Sequence, residues 1–363
     1  MISRVQRRPS SNASGYGLIE LLIATAIGCV LLGVLLQFAV SAHTSAGVQS
    51  ETADVQQRLR VALESMRRDI VLAGAGPSRG VDRGPLANTL PPVLPARTGS
   101  TAPDPELSFQ PDRISVMYVP DDGPQAQLAA DMPSASAPVV VDGTVAGCRS
   151  ASACDFTPGM DALIYEPSGA GGAYEVFAVQ AVDAAASTLM PGATLSRGYS
   201  ARARVAAVVR RVYYLDRAAK RLMRYDGARS DVPLVDHVVD LRYSYFADPR
   251  PDAVAPPASG ASSCAYAGSP PVPLLANLGG TAPKVLTAAL LTDGPVCGQS
   301  PYRFDADLLR IRRISVRIRV EAESAEFRGG GGAFATSGIS RSSARTVPDL
   351  ETTMDITPRN MLR

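Results

Sequence analysis

From Leu21 to Val40 the chain carries no formal charge, and Thr25 and Gln37 are its only polar side chains there. Twenty helical residues rise about 30 Å, the thickness of a bilayer's hydrocarbon core, so this run predicts a membrane span. Beyond Ser41 the pattern turns amphipathic. Val48, Thr52, Val55, Leu59, Ala62, Met66 and Ile70 recur at spacings of four and three, which is the apolar stripe of a helix. Polar residues such as Gln49, Glu51, Asp54, Arg60, Glu64 and Arg67 fill much of the remaining surface. Gly28, Gly33 and Gly47 weaken the helix locally, and "AGAGPSRG" (73–80) ends it with Gly and then Pro. One helix of over fifty residues is expected, its first half in lipid and its second half against a globular domain.

Downstream the period changes to two. "RISVMYV" (113–119), "MDALIYE" (160–166), "YEVFAVQAV" (174–182), "RVAAVVRRVYYLD" (204–216) and "KRLMRYD" (220–226) read as strands, the last two joined by a tight turn from Asp216 to Lys220. In "VDHVVDLRYSYF" (235–246), Val235, His237, Val239, Leu241, Tyr243 and Tyr245 fall on one face. In "RISVRIRVEAE" (313–323), Ile314, Val316, Ile318 and Val320 alternate with Ser315, Arg317 and Arg319. Leu309 and Ile311 are out of phase with that face, which suggests a bulge or a preceding helical turn. "PDLETTMDIT" (348–357) fits a last edge strand. The Pro/Gly/Ala-rich stretches 76–111 and 247–303 read as long loop insertions, and "RGGGGA" (328–333) as a flexible loop.

Composition changes this picture in three respects. The net charge is +2, but setting Arg4, Arg7 and Arg8 aside leaves 33 basic against 34 acidic residues, so no basic face argues for a nucleic-acid partner. Basic residues precede the span and none lies between Gly15 and Arg58. The positive-inside rule therefore puts the N-terminus in the cytoplasm and the remaining three hundred or so residues on the far side. Cys29 lies in the span, and Cys148, Cys154, Cys264 and Cys297 lie beyond it. Four cysteines allow three pairings. Cys148–Cys154 and Cys264–Cys297 are favoured because each closes a loop within one Gly/Pro-rich region, with free thiols as the alternative; disulfides imply an oxidising compartment such as the periplasm. No Cys/His set has zinc spacing, so no metal is expected.

One acid interrupts the apolar start: Glu20, in "GYGLIELLIA" (15–24). A charge costs about 3 kcal/mol at mid-membrane and less near an end, so an acid kept there needs a partner. Gly15, Tyr16, Glu20 and the apolar helix together resemble the class III signal of type IV prepilins and type II secretion pseudopilins. The usual pattern of that signal is Gly, an aromatic, then Thr-Leu-Ile-Glu. Here the run is Gly15-Tyr16-Gly17-Leu18-Ile19-Glu20, with Tyr in place of the commoner Phe and Gly17 at the usual Thr position. The resemblance implies that a prepilin peptidase cleaves after Gly15 and N-methylates Tyr16. It also implies that Glu20 of one subunit pairs with the Tyr16 amine of its neighbour in a filament. An ordinary signal peptide cut after Ala42, at "VSA", and a plain anchor with an incidental Glu are the alternatives.

Within this family "RLRVALESMRRDIVLAGAG" (58–76) is similar to the end of the long helix in PilW-type minor pilins, where Arg-Asp-Ile and then Ala-Gly recur. "VYYLDRAAKRLMRY" and "LVDHVVDLRYSYF" are similar to the hairpin and following strand shared with J-type minor pseudopilins. The resemblance implies an α+β, pilin-like fold, with a long N-terminal helix packed on an antiparallel sheet with long loops. It divides the chain into a leader (1–15), a transmembrane half-helix (16–40), an amphipathic half-helix (41–75) and a periplasmic β-rich domain (76–363). It further implies an inner-membrane protein, single-pass, that assembles into a pilus with the major pilin and other minor pilins, at or near the tip. A type II secretion pseudopilus tip is the alternative, as is a binding module that uses 247–303 to contact an adhesin or surface.

Nothing in the sequence builds an enzyme or a cofactor site. "GPSRG" (76–80) matches G-x-S-x-G, but a nucleophile elbow needs a strand before it and a helix after, and here a helix precedes. "GAGPSRG" fails as a dinucleotide loop for the same reason. His43 borders the span, which leaves His237 as the one histidine able to serve as a base, and its position in a strand reads as structural. "PDDGP" (120–124) reads as an acidic turn.

Overall fold

The computed structural model describes residues 17–76, 90–99, 102–120, 122–144, 148, 153–166, 173–227, 230–257, 263–325, 327–328 and 347–361. The expected leader, the "PSRG" of the G-x-S-x-G match and most of the polyglycine loop lie outside these residues. The chain divides after Ala53 into two compact units. One helix, Leu18–Leu72, runs unbroken for 55 residues. In the first unit its apolar residues are exposed, with Leu22 at 58% and Leu35 at 62%. The helix is long and apolar enough to cross a membrane, and none of the described residues covers that stretch. Thr25 donates its hydroxyl to the carbonyls of Leu21 and Leu22, at 3.0 and 2.9 Å. A polar side chain in an apolar run is thus satisfied by its own helix.

In the second unit the stripe is buried: Val55, Leu59, Ala62, Met66 and Ile70 are covered. The helix stops where Gly74 takes φ 75°, a left-handed value that costs a residue without Cβ little. The chain then stitches onto a strand, with Gly74 N–H donating to Met117 O at 3.0 Å and Val119 N–H to Ala75 O at 2.8 Å.

Among the described residues the strand pairs are antiparallel and form two larger sheets, a barrel and two short two-stranded sheets, Tyr266–Ala267 with Val272–Pro273 and Val296–Cys297 with Phe304–Asp305. The first sheet orders its strands Val93–Leu94, Arg113–Tyr118, Val209–Asp216, Arg221–Tyr225 and Asp231–Asp236. Its central hairpin turns at Asp216, whose Oδ1 accepts from the N–H groups of Ala218 and Ala219 at 3.0 and 3.1 Å. The second sheet orders Lys284–Leu286, Val238–Ala247, Ile311–Val320 and Leu350–Ile356, so the last strand is an edge.

The six-stranded closed barrel lies between two neighbours of the first sheet. Arg113–Tyr118 and Val209–Asp216 pair in register, Tyr118 opposite Val209, and the chain leaves that pair to build the barrel before returning. Its strands are Gln125–Leu128, Val139–Asp142, Asp161–Tyr165, Tyr174–Asp183, Thr188–Pro191 and Arg204–Ala207. Alternate residues point inward, among them Ala126 and Leu128, Val139 and Val141, Ala162 and Ile164, and Phe177 and Val179.

Several expectations need correction. The run 204–216 is two strands in different layers, broken at Val208, because its first half closes the barrel and its second half joins the sheet. The run 235–246 also breaks, at His237 with φ 59°, so Val235 belongs to the first sheet while Leu241, Tyr243 and Tyr245 share the buried face of the second. Arg319 does not face outward. It is fully buried, its Nε 3.7 Å from Asp349 Oδ2, because the segment entering the last strand crosses over it. The out-of-phase Leu309 and Ile311 have both expected causes: a 3-10 turn at Ala306–Arg310, and a register shift between Phe246 and Ala247. The 247–303 region is not loop throughout, since Lys284–Leu286 pairs with Tyr245–Ala247.

The helix and both sheets meet around Ser65, Met66 and Asp69. The Tyr213 hydroxyl donates to Asp69 Oδ2 at 2.5 Å and pairs with Ser65 Oγ at 3.0 Å, while the Tyr118 hydroxyl donates to Asp69 Oδ1 at 3.3 Å. From the second sheet, the Tyr243 hydroxyl lies 3.1 Å from Met66 Sδ. Burial first, and then the Asp69 carboxylate, push the Tyr118 phenol up to about 12 and the Tyr213 phenol in the same direction. Met66 is fully buried at this junction. Met66→Ala is therefore expected to lower the domain's unfolding free energy by about 2–5 kcal/mol, measured by urea unfolding of the detergent-solubilised protein. An exposed-position control, Gln57→Ala, should change it by less than about 0.5 kcal/mol.

Candidate functional site

The first turn of the helix explains how Glu20 is tolerated within this chain. Gly17 is the N-cap: its carbonyl accepts the first helical hydrogen bond, from Leu21 N–H at 3.2 Å. Glu20 is then the third helical residue, and its Oε2 accepts from Gly17 N–H at 2.9 Å. This is the carboxylate half of a capping box, set against the positive end of the helix dipole. A carboxylate has lone pairs for more than one donor, so the contact leaves Glu20 able to take another partner. Gly15 and Tyr16, the expected cleavage and methylation positions, lie outside the described residues.

The helix beyond Glu20 offers a smooth apolar surface. A Cβ added at Gly28 or Gly33 would meet nothing within 4 Å, so no contact with the described residues requires glycine there. Cys29 is free and exposed on the same helix. The other four cysteines form Cys148–Cys154 and Cys264–Cys297, with Cα–Cα separations of 4.5 and 5.2 Å. Cys154 is fully buried in the barrel core. Cys264–Cys297 closes the insertion that supplies the Lys284–Leu286 strand, which carries exposed apolar side chains at Val272, Leu274, Val285 and Val296.

His237 sits at the strand break. Its Nδ1 is 3.9 Å from Glu321 Oε1 and 3.3 Å from Arg328 Nη2, and burial, with help from Arg58 and Arg328, lowers its pKa. Among the described residues its ring meets Arg328 and Glu321, and no serine or cysteine side chain hydrogen-bonds to it. "PDDGP" closes as a turn, Gly123 N–H donating to Pro120 O at 2.9 Å, with Asp121 outside the described residues.

One acidic group escaped the sequence reading. Carboxylate oxygens of Asp293, Asp305 and Asp307 lie within 4.8 Å of one another. Much of this cluster is accounted for by protein partners. Asp305 accepts from Gly294 N–H at 2.7 Å and from Asp307 N–H at 2.9 Å, and Asp307 pairs with the fully buried Arg310. The D-x-D spacing at 305 and 307 was a visible signal, but Asp293 joins only through the fold. Burial pushes the Asp307 carboxyl up to about 7, against the lowering pull of Arg310.

Comparison of the chain with family models, curated proteins and solved structures finds no match.

The raised Asp307 pKa has a signed consequence. Because the folded value lies above the unfolded one of about 3.9, its contribution to stability is full below about pH 4 and is lost as pH rises through about 7. Asp307→Asn should flatten the stability profile between about pH 4 and 7, measured by thermal unfolding across that range. An unchanged slope would show that Asp307 titrates at its ordinary value.

Proposed function

We propose that this chain is a structural minor pilin that helps initiate type IV pilus assembly and sits at or near the pilus tip. The observation that carries this reading is the 55-residue helix itself. Its apolar first half opens on Glu20 and is exposed, while its second half is buried on a β-domain. An exposed apolar helix needs lipid before assembly, and other helices can replace lipid afterwards. Cleavage after Gly15 would create a second buried charge, the Tyr16 amine. Glu20 of one subunit and that amine on its neighbour would each satisfy the other in low dielectric and set the axial register.

The insertions argue for the end of a filament. A shaft subunit must fit its domain beneath the next layer, whereas the regions 76–111 and 247–303 add bulk. At a tip nothing lies above them. A second reading, a module that binds an adhesin or surface, is favoured by the exposed Val272, Leu274, Val285 and Val296 of the disulfide-closed insertion. On either reading the chain is not an enzyme, holds no cofactor, and has as partners a prepilin peptidase, the major pilin and other minor pilins.

Quantitative proteomics of sheared filaments tests this. The wild-type chain should be present at far lower copy than the major pilin, and Glu20→Ala should insert into the membrane yet be missing from filaments. Losing the contact to Gly17 costs the helix about 0.3–1 kcal/mol, too little to account for exclusion. Glu20→Gln keeps an acceptor for Gly17 but not the charge, so it should be excluded too. Abundance equal to the major pilin would overturn the tip position, and normal incorporation of Glu20→Ala would overturn the pairing.

A further inference from the structure

The last strand, Leu350–Ile356, is an edge of the second sheet. It pairs with Ile311–Val320 without a register shift, from Leu350 opposite Val320 to Ile356 opposite Ile314. A straight edge of this kind is a template for another chain, and proteins commonly blunt one with Pro, Lys or a bulge. The first sheet does so at Asp231–Asp236, which carries Pro233 and pairs with a register shift. "LETTMDI" has none of these devices.

Alternation fixes which backbone groups are free. Tyr243 N–H turns away from Ile311–Val320 and donates to Pro111 O at 2.7 Å. Its neighbours Arg242 and Ser244 therefore bond to Arg317 and Ser315, opposite them. Val316 and Ile318 turn the other way and bond to Met354 and Thr352. The N–H and C=O groups of Glu351, Thr353 and Asp355 are left pointing at the open side, with no backbone partner there among the described residues.

Side chains give this edge two different faces. On the inner face Leu350, Thr352 and Met354 line a groove of about 310 Å³ against Leu59 and Leu63 of the helix. Arg60 and Glu64 beside them carry opposite charges, so the groove favours apolar side chains over either sign. On the outer face each arginine of the neighbouring strand already faces a carboxylate. Arg313 lies 3.4 Å from Asp355, Arg317 3.5 Å from Asp240, and Arg319 3.7 Å from Asp349. Glu351 is left with no ion pair among the described residues, and it lies next to the open side. Arg242 is three strand spacings, about 14 Å, from where an added strand would run, beyond the screening length of about 8 Å.

We propose that this edge takes an antiparallel strand from another protein, with apolar side chains turned into the groove and basic ones beside Glu351. A second copy of this chain fits poorly. The self-pairing that uses all three edge residues, centred on Thr353, sets Glu351 against Asp355 twice, and like charges directly opposite are destabilising. The surface is separate from the assembly role of the membrane half-helix and does not depend on it.

The test uses the full chain in phosphatidylcholine nanodiscs and the peptide acetyl-Val-Lys-Val-Lys-Val-Lys-Val-amide, with amide exchange read by NMR. In the free chain Glu351, Thr353 and Asp355 should exchange fast, while Thr352 and Met354 stay slow. Saturating peptide should slow the three edge amides at least tenfold. A peptide N-methylated at its three lysines keeps the side chains but loses the edge donors, and should not protect them. Thr353→Pro removes an N–H that the existing ladder does not use, and should abolish binding. If that variant misfolds, the N-methylated peptide decides. Glu351→Lys should weaken the lysine peptide about twofold to fivefold. Slow exchange of the edge amides in the free chain would show the edge already covered and overturn the site. Protection that grows with protein concentration alone would make a second copy the occupant and overturn the partner. Equal binding of a peptide with glutamate in place of lysine would overturn its basic character.

Discussion

Asp69 is the point at which the helix becomes part of the domain. It is a nearly buried carboxylate on an otherwise apolar helix face, and the hydroxyls of Tyr118 and Tyr213 satisfy it from the first sheet. Met66, one turn earlier, meets Tyr243 of the second sheet. An apolar stripe alone would let a helix slide along a sheet, because burial is non-directional. Hydrogen bonds to a fixed carboxylate do not slide. They hold the helix in one register, and a mispacked helix would leave Asp69 buried and unpaired at a cost of several kcal/mol. The stitch from Gly74 and Ala75 onto Met117 and Val119 fixes the same register from the backbone side.

That anchoring frees the rest of the chain to elaborate. The barrel grows between two strands that pair in register, so the first sheet keeps its ladder whatever the excursion contains. Closing a long excursion costs little extra entropy per added residue when its ends are already neighbours. The second insertion is handled differently: a disulfide closes it and a three-residue strand docks it on the sheet edge.

The sequence revealed whatever rests on a long local period. The 55-residue helix, its buried stripe, the hairpin turning at Asp216 and the buried face Ile314, Val316, Ile318 and Val320 were all readable from spacing. The barrel was not. The runs 160–166, 174–182 and the first half of 204–216 were legible as strands, but Gln125–Leu128, Val139–Asp142 and Thr188–Pro191 have four residues each, too few to show alternation, and closure depends on pairings such as Gln125 with Ala206. Arg319 looked solvent-facing by alternation, because the segment that covers it lies outside its own strand. The acidic cluster was hidden for the same reason: Asp293 joins Asp305 and Asp307 only in three dimensions. Glu20 was legible as an anomaly, but its contact with Gly17 shows that a local cap explains part of it.

The central proposal is that the exposed half-helix is an assembly element whose N-terminus is made by cleavage after Gly15. Mass spectrometry of the membrane-extracted protein, from cells with an active prepilin peptidase, tests it most directly. The account predicts a chain that begins at N-methyl-Tyr16. A chain that begins at His43, or one that keeps the intact leader from Met1, would contradict it.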